Sequence, residues 1–164
     1  MKKLLMISLI VAAVASISVS AFAAQSSEQL VSFTIGASNE ISVSGSPGLF
    51  EILAPAAGEN PVPVSDNTTS ISYSTNSSNK KITGDLDSDM PAGVTLALHV
   101  ASPGGAQGIS QGAQPLSIAA ADLVTGISKA AVADATITYT LSATTTADPV
   151  DNASRTVTFT MTAD

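Results

Sequence analysis

Three carboxylates stand at alternate positions in Asp85-Leu86-Asp87-Ser88-Asp89. Such a run can offer hard oxygen ligands to Ca²⁺, and an EF-hand loop opens in the same way. That loop also needs Gly at its sixth position and a bidentate Glu at its twelfth; here those positions hold Met90 and Leu96. The competing reading is an acidic strand end entering the turn Met90-Pro91-Ala92-Gly93, with its carboxylates in solvent.

His99 is the single histidine. It alternates with Leu98 and Val100 and so faces outward from a strand. A Ser-His-Asp arrangement needs a base within hydrogen-bond reach of its nucleophile and an acid to orient it; serine is so abundant here that none stands out for the part. Zinc would want further His or Cys ligands, which the chain lacks. Two carboxylates could hydrolyse a glycoside, yet none of the thirteen acidic residues is singled out as a pair. Beyond residue 23 the aromatics are Phe33, Phe50, Tyr73, Tyr139 and Phe159, with no Trp to stack a sugar. Asn67-Thr68-Thr69, Asn76-Ser77-Ser78 and Asn152-Ala153-Ser154 match the glycosylation pattern, which arises readily in a chain rich in Ser and Thr. The chain reads as no enzyme, and Ca²⁺ at Asp85, Asp87 and Asp89 is its one candidate cofactor.

Residues 1–23 carry the marks of a secretory signal peptide. Lys2 and Lys3 precede the apolar run Leu4–Val14, and Ala21-Phe22-Ala23 provides an A-x-A-like cleavage site. Serines at 8, 16, 18 and 20 interrupt the apolar run, which falls short of the roughly 20 residues needed to span a bilayer. Cleavage after Ala23 leaves residues 24–164, one domain's length, with no membrane insertion expected thereafter. The expected location is the periplasm, the cell surface or the exterior of a bacterium. With no cysteine in the 164 residues, there is no thiol to acylate at a lipobox and no disulfide, so the domain depends on sheet packing. Four basic residues then face thirteen acidic ones. Nucleic acid, bound by neutralising phosphates with Lys and Arg, is not an expected partner.

The elements that would position these residues have a period of two. Val157, Phe159 and Met161 alternate with Thr156, Thr158 and Thr160; Ile137, Tyr139 and Leu141 alternate with Thr136, Thr138 and Thr140. Val94–Val100 and Ile41–Val43 follow the same rule, as half-buried strands do. Turns such as Gly45-Ser46-Pro47-Gly48 and Ser102-Pro103-Gly104-Gly105 separate them. About nine short strands so punctuated predict an all-β, Ig-like antiparallel sandwich. Pro55–Asn67 reads as a surface loop, and Ala-rich Ile118–Val124, followed by Gly126, as one helical turn.

Within residues 29–44, the stretch Leu30–Ile35 sets Val31, Phe33 and Ile35 on one face. It is either the first strand of its own sandwich or a strand that completes the sheet of another subunit. The threonine rows are those of wet strand faces; no repetition makes them an ice-ordering surface.

Together with the leader and the Ser/Thr/Ala/Gly-rich acidic body, Val31-Ser32-Phe33-Thr34-Ile35 and Arg155-Thr156-Val157-Thr158-Phe159-Thr160-Met161 resemble the exported pilin-like subunits of chaperone–usher systems, the fimbrial and spore-coat-U-like proteins. That resemblance implies assembly by strand donation, with copies of the chain or other envelope proteins as partners. The expected function is that of a secreted or cell-surface structural protein, an appendage or matrix subunit. The alternative is a secreted Ca²⁺- or glycan-binding module.

Overall fold

Where apolar residues alternate with hydroxyls, one strand face can pack while the other meets water, and the strands form there. The computed structural model describes residues 26–164; the leader read at residues 1–23 lies outside them. Ile35–Asp164 form one compact unit. It holds nine strands: β1 (Asn39–Ser44), β2 (Val64–Thr75), β3 (Lys80–Leu86), β4 (Val94–Val100), β5 (Ile109–Ser110), β6 (Gln114–Pro115), β7 (Ala121–Ile127), β8 (Ala130–Ala143) and β9 (Val157–Ala163). Residues 26–34 belong to the other unit, and these nine are exposed without regular secondary structure.

All pairings are antiparallel. One sheet runs β1-β2-β8-β4-β6 and the other β5-β7-β3-β9. Two such sheets fit the expected β-sandwich. Among the described residues the only helical element is a 3₁₀ turn at Gly105–Gln107. Ile71, Ile82, Leu98, Leu123, Ile127 and Ile137 are fully buried between the sheets, each worth about 1.5–3 kcal/mol of transfer free energy. Tyr73 closes one margin by donating its hydroxyl to the Gln107 carbonyl at 2.8 Å.

The sandwich has two distinct ends. Asn39 pairs with Thr75, Thr75 with Ala130, and Lys80 with Ala163, which gathers the start of β1 and the end of β9 at one end. Val94 pairs with Ala143 and Leu86 with Val157 at the other.

Three expectations fail. Leu30–Ile35 is no strand of its own sandwich, because β1 begins at Asn39, opposite Thr75 where β2 stops. Ile118–Val124 is not helical: Ile118 and Ala119 lie in a bend and Ala121–Ile127 is β7. Its register against β3 shifts around Ile82, which lets the adjacent Leu123 and Val124 both reach the core. Gly126 does have the positive φ expected of it, +70°, but inside a strand. Finally, the irregular stretch after β1 ends at Pro63, so Val64–Asn67 belongs to β2.

Gly93 starts the approach to β4 with φ +77°, and its carbonyl accepts the Thr144 N–H at 2.8 Å. A Cβ there would meet the Ala147 backbone nitrogen at 2.9 Å. Gly93→Ala is expected to cost about 1–3 kcal/mol in urea unfolding; an unchanged midpoint would mean that the 144–147 loop is not held by this contact.

Candidate functional site

The sandwich is sealed unevenly. Edge strand β1 of one sheet and edge strand β9 of the other lie on the same side, and there the apolar residues are only half-buried: Ile41 on β1, and Val157, Phe159 and Met161 on β9. Between them opens a cleft of about 1250 Å³. Its walls include Ile41, Leu96, Tyr139, Leu141 and Phe159, with Phe50 and Met90 from the connections. Leu49, 86 % exposed, and Leu53, 71 % exposed, stand among the lining residues, as does the exposed Val150. Solvent-facing apolar groups gathered around an apolar cleft mark an interaction surface. Asp148 and Arg155 are the only charged residues among the described lining.

Polar contacts fasten a loop at the mouth to the sheet. Asp66, at a bulge in β2, accepts the Thr68 N–H at 2.9 Å and the Thr68 hydroxyl at 2.8 Å, and its other oxygen accepts the Gly48 N–H at 3.3 Å. One side chain thereby ties the loop after β1 to β2. The Thr68 bonds, backbone first, and more weakly the Gly48 bond hold this carboxyl below its ordinary range against a small opposing effect of burial. Tyr139, on the cleft wall, is held above the ordinary phenol range by burial and then by the nearby Asp66 charge, and stays neutral at pH 7.

The acidic run has a different arrangement from the one its spacing suggests. Asp87 accepts the Thr156 N–H at 3.1 Å, and Asp89 accepts the Ile118 N–H at 3.1 Å. Arg155 donates through Nε to the Asp89 carbonyl at 3.0 Å. Asp87 and Asp89 thus brace the segment that leads into β9, while Asp85 sits on β3 opposite Thr158. Among the described residues no group of three or more His, Asp or Glu is placed to hold a metal ion. His99 lies on β4 opposite Thr138, on the outer face of its sheet.

Gly108-Ile109-Ser110-Gln111-Gly112 has the spacing of a nucleophile elbow, a match that a reading based on serine abundance passes over. That motif requires a sharp strand-to-helix turn. Ser110 instead ends the two-residue β5, its hydroxyl accepts the Gly112 N–H at 3.2 Å, and β6 follows.

Val31 and Phe33, 72 % and 81 % exposed, and Ile35, 79 % exposed, keep their alternation without a strand partner among the described residues. The cleft itself comes largely from the loops at 45–63 and 144–156, whose Gly and Pro mark turns. Leu49, Leu53 and Val150, apolar residues inside turn-rich segments, were the available signal for it. No helix among the described residues is long and apolar enough to cross a membrane.

Two measurements test the site's construction. Asp66 has a depressed pKa in the folded state, so its tether is intact at neutral pH and is lost only in acid, as pH falls through a folded value beneath the ordinary carboxylate range. The protection factor of the Gly48 amide, its exchange relative to the intrinsic rate at each pH, should fall only in that acid range, and at neutral pH in Asp66→Ala; a protection factor in the wild type that does not change with pH would refute the tether. Thr69, a lining residue, carries a buried hydroxyl with no hydrogen-bond partner, a defect worth about 1–3 kcal/mol. Thr69→Val is expected to raise the urea midpoint, and a lower one would show that the hydroxyl is satisfied.

Compared with known proteins, the chain matches no family model, no curated protein and no solved structure.

Proposed function

We propose that this chain is an exported, non-enzymatic structural subunit with an Ig-like sandwich, and that one copy joins the next when its N-terminal arm lies in the neighbour's β1–β9 cleft. One juxtaposition carries the reading: an exposed, alternating apolar arm and an apolar cleft flanked by two sheet edges, with neither the arm nor those edges paired further among the described residues. Charge agrees, because Gln29–Asn39 contains no charged residue and the cleft lining almost none. Size agrees as well. The cleft exceeds the roughly 300–1,000 Å³ of typical small-molecule pockets and suits a length of extended chain.

The energetics require both parts of the contact. Burying Val31, Phe33 and Ile35 contributes about 5–9 kcal/mol, which is close to the ~4–15 kcal/mol lost in translational and rotational freedom. Backbone hydrogen bonds to an edge strand, about 0.5–1.5 kcal/mol each, then decide the outcome. An arm that only touched the cleft would bind weakly, whereas one that also extends a sheet would hold.

Purified protein examined by light scattering and electron microscopy across a concentration series should form oligomers. Phe33→Asp, altering an exposed side chain, should abolish them without changing the melting temperature measured at concentrations too low for assembly. A peptide spanning residues 28–37, at a hundredfold excess over its Kd, should stabilise the Phe33→Asp protein by about 2.7 kcal/mol. A wild-type protein that remains monomeric at high concentration and in native envelope fractions would end this reading.

A further inference from the structure

The arm is gripped where it leaves the sandwich. The β1–β2 ladder stops at the pair Asn39 and Thr75, and the next residue, Asn76, continues it by other means. Its backbone N–H donates to the Ser38 carbonyl at 3.2 Å. Its side-chain Oδ1 accepts the Ser38 N–H at 2.9 Å, and its Nδ2 donates to the Gly36 carbonyl at 2.7 Å. A carboxamide alone among side chains presents an acceptor and a donor with peptide-like geometry, so Asn76 acts as a peptide group where the strand has run out. Thr75 reinforces the corner by donating its hydroxyl to Asn39 Oδ1 at 2.7 Å and accepting the Ser77 N–H at 3.0 Å. Among the described residues, no hydrogen bond reaches 26–35.

We infer that Asn76 is the positioning residue of the arm: its side chain clips Gly36–Ser38 in place and so orders the root from which Val31, Phe33 and Ile35 reach a neighbouring copy. This rests on the assembly reading above. The mechanism is entropic. Fixing one residue's backbone costs on the order of a tenfold factor in an association constant. A root ordered before the encounter does not incur that loss on docking. The cleft, at the opposite end of the strands, does not involve Asn76, so the clip acts on the donor and leaves the acceptor unchanged.

The absence of cysteine allows a nitroxide to be placed at Ala37→Cys, an exposed position inside the clip. In Asn76→Ala the label should become markedly more mobile, the concentration for half-assembly should rise about tenfold, and the melting temperature should fall by less than about 5 °C. Asn76→Asp keeps the acceptor for Ser38 but sets an oxygen against the Gly36 carbonyl, so it should retain protection of the Ser38 amide while still mobilising the label.

An unchanged label spectrum in Asn76→Ala overturns the inference. So does an unchanged half-assembly concentration, provided that Phe33→Asp abolishes assembly. If Phe33→Asp assembles like the wild type, the assembly reading itself fails and the role of Asn76 falls with it. Weaker assembly without added label mobility would reduce Asn76 to a structural residue and equally refute the proposal.

Discussion

The antiparallel ladder between β2 and β8 is the contact on which the other elements depend. It runs from Val64 opposite Leu141 to Thr75 opposite Ala130, and each strand has a second partner, β1 on one side and β4 on the other. Its inner face supplies Ile71, Tyr73, Ile137 and Tyr139 to the core. A ladder this long accumulates twist, and it is interrupted twice, between Asp66 and Thr69 and between Ile71 and Tyr73. The first interruption places Asp66 where it can bind the loop after β1 and leaves the hydroxyl of Thr69 without a partner. The mouth of the cleft and the least satisfied buried atom near it thus share one origin.

Charge has a minor part in holding this fold together. The one ion pair among the described residues, Lys81 with Asp122 at 3.0 Å, is partly exposed, and such pairs contribute about 0–1 kcal/mol. Carboxylates matter here mainly as acceptors for backbone N–H groups: Asp87 for the remote Thr156, Asp89 for the remote Ile118, and Asp66 for Gly48 as well as for its near neighbour Thr68. Asp66 fastens a connection to a strand, while Asp87 and Asp89 each fasten one connection to another.

Period-two patterning made the strands legible. The alternations of Val94–Val100, Ile137–Leu141 and Val157–Met161 face the core as read. Ile118–Val124 misled because alanine favours helix locally, whereas pairing with β3 and burial of Leu123 and Val124 decide the structure. The acidic run misled because its partners are remote: Asp87 and Thr156 lie 69 residues apart. Local spacing can suggest a metal site, but only the fold shows that Asp87 and Asp89 already bind backbone. The cleft was hidden for the same reason, since Leu49, Ile41 and Phe159 become neighbours only when two sheet edges are brought to one side. For Leu30–Ile35, periodicity described the residues correctly and said nothing about a partner.

The placement of arm root and cleft at opposite ends has a consequence for symmetry. A reciprocal twofold exchange would need two copies side by side and antiparallel, whereas copies set end to end meet through two different patches, root against cleft. Copies joined end to end would be related by a repeated screw operation, each addition covering one cleft and leaving another of the same kind free. Nothing in such a contact counts subunits. Length would then be set from outside the chain, by supply or by a different protein whose own arm or cleft is missing.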